Sequence, residues 1–580
     1  MIVEQVHYEP PRQSAVGRAR YLIIGAVALL AVAVGVVLGS VLVGGGAAGL
    51  APAAAYAPAD AVMYAEARLD LPGAQRANLI ALLERFPAAD PDAILTDALA
   101  DTLDDALADG GVPFDYSTDV APWFDGTLAM VLLDYPMNMD PTQMRLPSVV
   151  GLFGVRDATA AGALADDLRT ELEAEGSTFT SSEHEGVTIW TLEVDDASAF
   201  GMPMEGTGFA YAVTDDQFVL GNGTDPVRAA LDARGGSGLA GAGEIGGLLG
   251  ALPVERSGTM IMNSKAMLAE MRAELDAAQP GLAEALGAYL DAVPPYSVAS
   301  LAFGTDAFLV DAVSARPTGP LQPQNADRSF AERLPADTLF YADGSGLGAA
   351  LEQGIITGKA SAALMPDGDL ALAELENVEA AIGADLEEFV AWIGDGGMAA
   401  GWDGEAPWFG LVLQAADLDA ANRRLTQIGA LAELAAGQGG GEVTVTTDTV
   451  DGVEVTTVAF SGSGAPAMGE FAFAYALDGD TALIGTAGFV EAALTLDPAS
   501  SLAGSDRFGA AVDRFGGSDN AGAFYLDVAG LTAAVRGELP PESTSGMGEL
   551  WENLAPLDYL AGVTRVEGDR VVSRMGLVLR

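Results

Sequence analysis

The chain has 580 residues, half of them apolar, with 82 Asp and Glu against 27 Lys and Arg and no cysteine. Its formal charge of −55 repels nucleic acid and anionic lipid headgroups, so nucleic-acid binding is not expected. The lack of cysteine excludes disulfides, a thiolate metal site, a thiol nucleophile and a lipid-modified cysteine anchor.

Residues 1–20 form a short polar tail carrying Arg12, Arg18 and Arg20. Tyr21–Val43 follows without a single charge, long enough to cross a bilayer as one helix. It is expected to be a transmembrane helix and the chain's contact with the membrane. The arginines before it, and the absence of Lys or Arg between Gly44 and Met63, place the N-terminus in the cytoplasm and the rest outside. The competing reading is a cleaved signal peptide. The apolar run is longer than such a signal needs, and the small-x-small sequence Ala55-Tyr56-Ala57 is followed by Pro58, a poor cleavage position. Residues 44–57, rich in Gly and Ala, read as a flexible spacer.

The remainder reads as one module written twice. PADAVMYAEARLD (58–70) answers to PADTLFYADGSGL (335–347), and VAPWFDGTLAM (120–130) to FVAWIGDGGMA (389–399). VGLFGVRDATAAGAL (150–164) answers to FGLVLQAADLDAANRRL (409–425), and EGVTIWTLEV (185–194) to DGVEVTTVAF (451–460). FAYAVTDDQFVLG (209–221) matches FAYALDGDTALIG (473–485), and SLAFGTDAFLVDAV (300–313) matches GVTRVEGDRVVSRM (562–575). The order is kept throughout. The expected modules are 58–315 and 330–580, joined by a Pro-rich linker at 316–329.

Within the first module, Asp90-Pro91 opens an expected helix with apolar pairs from Ile94/Leu95 to Ala106/Leu107. Strands are expected at 127–133 and 148–155, then a helix capped by Asp157 and stopped near Gly176. Strands 177–184 and 187–194 meet at Glu185-Gly186, a hairpin follows over 209–221, and 226–233 is a short helix. The second module repeats the plan with a helix over 418–434, strands 442–448 and 453–460, and a hairpin over 471–484. The wiring predicts an α+β fold: one N-terminal transmembrane helix, then two tandem copies of an antiparallel sheet with helices over one face.

The PADxxxY-type opening with its following helix, and the duplicated layout behind an N-terminal anchor, resemble the bacterial family known as domain of unknown function 3352. The resemblance covers roughly residues 55–580. It implies a layout and brings no activity or catalytic residue with it.

Candidate chemistry is thin. The histidines are His7, in the expected cytoplasmic tail, and His184; one exported His cannot build a His-His zinc site, and no G-x-S-x-G elbow accompanies His184 as a base. Gly241-x-Gly243-x-x-Gly246 sits in a low-complexity run with no strand before it, so the dinucleotide reading fails its context. Gly354–Ala360 is one residue short of a phosphate loop and has Ala where Ser or Thr must hold magnesium. A calcium site would need a D-x-[DN]-x-[DN]-G loop, which is missing. Neither metal nor cofactor is expected, and the carboxylate pairs Asp166/Asp167 and Glu171/Glu173 read as solvated helix surface.

The sharper signal is apolar. Met137, Met139 and Met144 fall in one loop of the first module and Met202 and Met204 in another; the second module has Trp402 and Trp408, then Met468. A crossover from strand 148–155 to strand 177–184 would bring both loops to one sheet end, as an apolar binding tip. Packing of these loops on the neighbouring copy accounts for them equally well, and copper(I) binding by Met-x-Met pairs is a third reading. The leading expectation is a single-pass, membrane-anchored extracytoplasmic protein that binds a protein or apolar ligand without catalysis. A structural envelope protein presenting an acidic surface is the alternative, and an unrecognised hydrolase comes third.

Overall fold

The computed structural model describes residues 50–69, 71, 73–87, 89–91, 115–135, 147–174, 176–193, 208–236, 238–278, 286–319, 321–327, 329–362, 368–404, 406–439, 442–461, 471–538 and 547–580. The helix expected after Asp90, the stretch Tyr21–Val43 and all of the loop methionines lie outside the described residues. Two compact units are resolved: one runs to residue 80 and takes in 89–271 and 298–303, and the other comprises 81–88, 272–297 and 304–580.

In the first unit the strands are β1 (Met63–Arg68), β2 (Phe124–Leu132), β3 (Val149–Val155), β4 (Thr178–His184), β5 (Val187–Glu193), β6 (Phe209–Val213), β7 (Gln217–Gly221), β8 (Gly258–Met262) and β9 (Ser297–Phe303). Pairing runs β8–β1–β2–β3–β7–β6–β5–β4, every pair antiparallel. Helix α1 (Ala158–Ala174) begins where Asp157 Oδ1 accepts from the Thr159 and Ala160 amides, and it buries Ala161, Ala165 and Leu172. Helix α2 (Thr224–Arg234) buries Val227, Ala230 and Leu231. The β4–β5 turn uses Glu185 at φ 48° and Gly186 at φ 76°, the two left-handed residues that a tight hairpin matched to strand twist requires.

The second unit holds β10 (Ala307–Ala315), β11 (Thr338–Gly344), β12 (Ile393–Trp402), β13 (Pro407–Ala415), β14 (Glu442–Val450), β15 (Val453–Ser461), β16 (Phe471–Asp478), β17 (Thr481–Thr486), β18 (Gly522–Leu526), β19 (Leu557–Glu567) and β20 (Arg570–Leu579). Its pairing order is β10–β20–β19–β18–β11–β12–β13–β17–β16–β15–β14. Read from β18 to β14, this is the order that the first unit shows from β8 to β4. The β14–β15 turn repeats the same device with Asp451 at φ 45° and Gly452 at φ 85°.

The expected fold class is corrected. The described strands make up a 20-stranded antiparallel sheet. Among the described residues no helix is long and apolar enough to cross a membrane. Helices also lie on both faces of the second unit's sheet. Helix α3 (Leu347–Ala362) lies against β12, and α4 (Leu418–Gly439) packs Ala421 and Leu425 on Leu413 and Tyr475. Helices α5 (Ala487–Thr495) and α6 (Asp506–Phe515) pack Phe489, Val490, Phe508 and Val512 on Trp408, Val412 and Tyr341 from the other side. Adjacent residues Val412 and Leu413 are both buried, which is why β13 reads as a continuous apolar run and not as an alternation.

Four smaller expectations can be placed. Gly354–Gly358 lies inside α3, so it forms no phosphate loop, and Gly243–Gly246 opens a short helix after a 3-10 turn. Residues 50–57 are packed, with a 3-10 helix at Pro52–Tyr56 and buried Ala53, Ala54 and Tyr56. The Pro-rich strip is tied down by Asn325, which exchanges two hydrogen bonds with the Val566 backbone.

Candidate functional site

The strand register brings the loop ends together in each unit. In the first, Val150 pairs with Gly221, Gly221 with Ala210 and Ala210 with Thr191, so the loops between β2 and β3 and between β5 and β6 leave from one sheet end. In the second, Gly410, Gly485, Ala474 and Thr457 make the matching row. Strands β3 and β4 do run in the same direction, with β7, β6 and β5 between them. Met137, Met139, Met144, Met202, Met204 and Met468 themselves lie outside the described residues.

The two tryptophans divide between faces. Trp408 is 7 % exposed and stacks on Phe489, with ring centroids 5.5 Å apart and an interplanar angle of 15°. Glycines make the room: a Cβ on Gly401 would come within 2.3 Å of the Trp408 ring, and one on Gly410 within 2.1 Å of Phe489. Trp408 is therefore a core side chain. Trp402 is half-buried and pairs with Pro407; alternation along β12 and β13 puts both on the opposite face.

Among the described strand residues, the exposed large apolar side chains lie on that opposite face. Met398 is 48 % and Phe409 47 % exposed. Met398 lies opposite Leu411, Ala400 opposite Phe409 and Trp402 opposite Pro407, so these side chains share one surface across two strands. Further along, the same face is closed by α4 over Leu413, Tyr475 and Val458. The open strip runs toward the end from which 403–406 and 462–470 leave. Its half-exposed side chains suit it to apolar contact. Sequence reasoning missed Met398 and Phe409 because half-exposure within an apolar strand is set by where the covering helices stop.

A second feature is polar and enclosed. Glu66, on β1, is 6 % exposed and lies opposite Thr259 in the register. The Tyr64 hydroxyl donates to Glu66 Oε2 at 2.6 Å, and the Ala51 amide donates to the same oxygen at 2.7 Å. Arg256, itself buried, donates from Nε to Thr259 Oγ1 at 2.9 Å and from Nη1 to the Pro253 carbonyl at 3.0 Å. Burial raises the Glu66 pKa, opposed by the donors Tyr64, Ala51 and Thr259 and by the Arg256 charge. Burial lowers the Arg256 pKa, opposed by Glu66. The Tyr64 hydroxyl is pushed well up by burial and by the carboxylate beside it. Every partner here comes from the protein's own core, so the group is a structural clamp.

His184 closes β4 with Nε2 at 2.6 Å from Asp232 Oδ1. Asp166 and Glu173 pair with Arg169 along α1. Among the described residues no group of three or more His, Asp or Glu is placed to hold a metal ion.

The antiparallel strands repeat one pairing order in the two units, and in the second an apolar strip is left open beside the covering helices. The chain belongs to the family described as Protein of unknown function (DUF3352), which it matches over residues 22–562. No curated protein and no solved structure matches it.

Proposed function

We propose that this chain is a non-catalytic binding protein working outside the cytoplasm, with residues 21–43 as the segment that meets the membrane. The location rests on that uncharged stretch behind Arg12, Arg18 and Arg20. The binding reading rests on one observation, the half-exposed Met398 and Phe409, diagonal neighbours on a strand pair whose other face buries Ala399, Trp408 and Val412. Exposed apolar strips of this kind mark contact surfaces. The partner is a protein segment presenting apolar side chains flanked by basic ones, since it must approach a chain of formal charge −55. The loop methionines at 137, 139, 144, 202, 204 and 468 belong to the proposal as further apolar contacts, each within its own unit.

The test places a photo-crosslinking amino acid at Met398, at Phe409 or, as a control, at the exposed Val254 of the first unit, in intact cells. Adducts shared by positions 398 and 409 and missing at 254 support the reading. The same adduct pattern at all three positions, or none at 398 and 409, overturns it. Protease shaving of intact cells tests the location: an ectodomain that survives whole while surface controls are cut would count against it.

A further inference from the structure

We propose, independently of the binding reading, that residues 50–57 are a built-in clasp of the first unit, so that the mature chain retains them and any processing cut falls before Ala51. The segment presents a conflict. Ala55-Tyr56-Ala57 has the small-x-small form that export peptidases accept in an extended chain, yet here it is neither extended nor free.

Ala53 and Tyr56 are fully buried, and Ala54 and Ala57 nearly so. The 3-10 helix Pro52–Tyr56 packs against α2, β2 and β3. Each end is tied to the core. At the start, the Ala51 amide donates to the buried carboxylate of Glu66 at 2.7 Å. At the finish, the Leu239 amide donates to the Ala57 carbonyl at 2.8 Å, and Gly238 lies so close that a Cβ there would meet the same oxygen at 2.7 Å. Between them the Tyr56 hydroxyl donates to Asp216 Oδ1 at 2.6 Å and bonds Thr214 Oγ1 at 2.8 Å, under the Arg234 guanidinium 5.6 Å from the ring centre.

Two consequences follow. Once the unit has folded, the bond after Ala57 is held by its carbonyl and by buried neighbours, and a peptidase cannot draw it into an extended conformation. A cut made there earlier would release Tyr56, leaving an aromatic-sized hole beside β2 and β3, an Asp216–Thr214 pair without its hydroxyl partner, and a buried Glu66 short of one donor. The clasp is thus part of the fold, and whatever precedes residue 50 is joined to the first unit through it without slack.

The full chain is purified from its producing cells and its N-terminus read by sequencing and intact mass. Native-state hydrogen exchange is then followed at the Ala54 and Ala57 amides, which donate to the Ala51 and Ala54 carbonyls. A mature N-terminus at or before Ala51, with these amides protected at least ~100-fold over an unstructured peptide, is the expected result. Tyr56→Phe keeps the packing and removes only the hydroxyl, so it should still fold while speeding exchange across 51–57 by about tenfold. A mature chain beginning after Ala51, as at Pro58, or exchange of 51–57 at the unstructured rate, overturns the proposal.

Discussion

Tyr64→Phe isolates one hydrogen bond in the buried cluster and turns it into a pH-dependent measurement. The substitution keeps the ring, so no cavity opens, and it removes a hydroxyl that donates to Glu66 Oε2 at 2.6 Å from a fully buried side chain. Hydrogen bonds to a charged group contribute roughly 1.5–3 kcal/mol, those between neutral groups about 0.5–1.5 kcal/mol. Glu66 has its folded pKa raised by burial, so the protonated form is favoured in the folded state. The stability it contributes is present at low pH and lost as pH rises through the folded value. The Tyr64 hydroxyl opposes that rise, and removing it lifts the Glu66 pKa further. The cost should therefore be about 0.5–1.5 kcal/mol at pH 4, and rise toward about 1.5–3 kcal/mol once the pH passes the raised folded value and the carboxylate loses a donor. Native-state hydrogen exchange of the β1 and β8 amides reads this unit alone: exchange should quicken about 10- to 100-fold at the higher pH and less at the lower. An equal effect at both, or a larger one at pH 4, would refute a carboxylate held by this donor.

Three further substitutions test packing and charge. Gly410→Ala should cost about 1–3 kcal/mol in urea unfolding, because its Cβ would stand 2.1 Å from Phe489, whereas Gly354→Ala, exposed in α3 with nothing within 4 Å, should gain about 0.5–1 kcal/mol. Equal effects of the two would contradict the close approach at Gly410. Arg514 donates to both oxygens of Asp306, at 2.9 and 2.6 Å, and this holds the Asp306 carboxyl below its ordinary value. A lowered folded pKa stabilises above the unfolded value of about 3.9 and is lost as pH falls through the folded one. Asp306→Asn should thus lower the melting temperature at pH 7 and match the parent chain near pH 2. A gap that persists at pH 2 would show that the pair acts through packing instead.

Much of the element order is legible in the sequence. Asp157 ahead of α1, and Glu185-Gly186 and Asp451-Gly452 between strands, act through contacts within a few residues of themselves. Their meaning survives in any fold that contains them. The tryptophans show where this stops. Trp402 and Trp408 are alike in sequence, six positions apart, yet Trp408 is sealed against Phe489 some eighty residues on and Trp402 lies on the open face. The placement of α5, which the local sequence around β13 does not contain, makes that difference. The segment 50–57 is the same case: its alanines next to an apolar run read as slack, but small side chains are also what a tight docking against α2 and β3 needs.

The amino-acid sequence by itself determined the acidic, cysteine-free character of the chain, its repeated strand order and its hairpin turns, because these depend on composition and on neighbours in the chain. Tertiary structure alone decided that Met398 and Phe409 stay open, that Trp408 is core, and that Tyr56 and Ala51 lock onto Asp216 and Glu66. Those outcomes depend on which surfaces meet across 15 to 160 residues of chain, and no local pattern encodes where a covering helix ends.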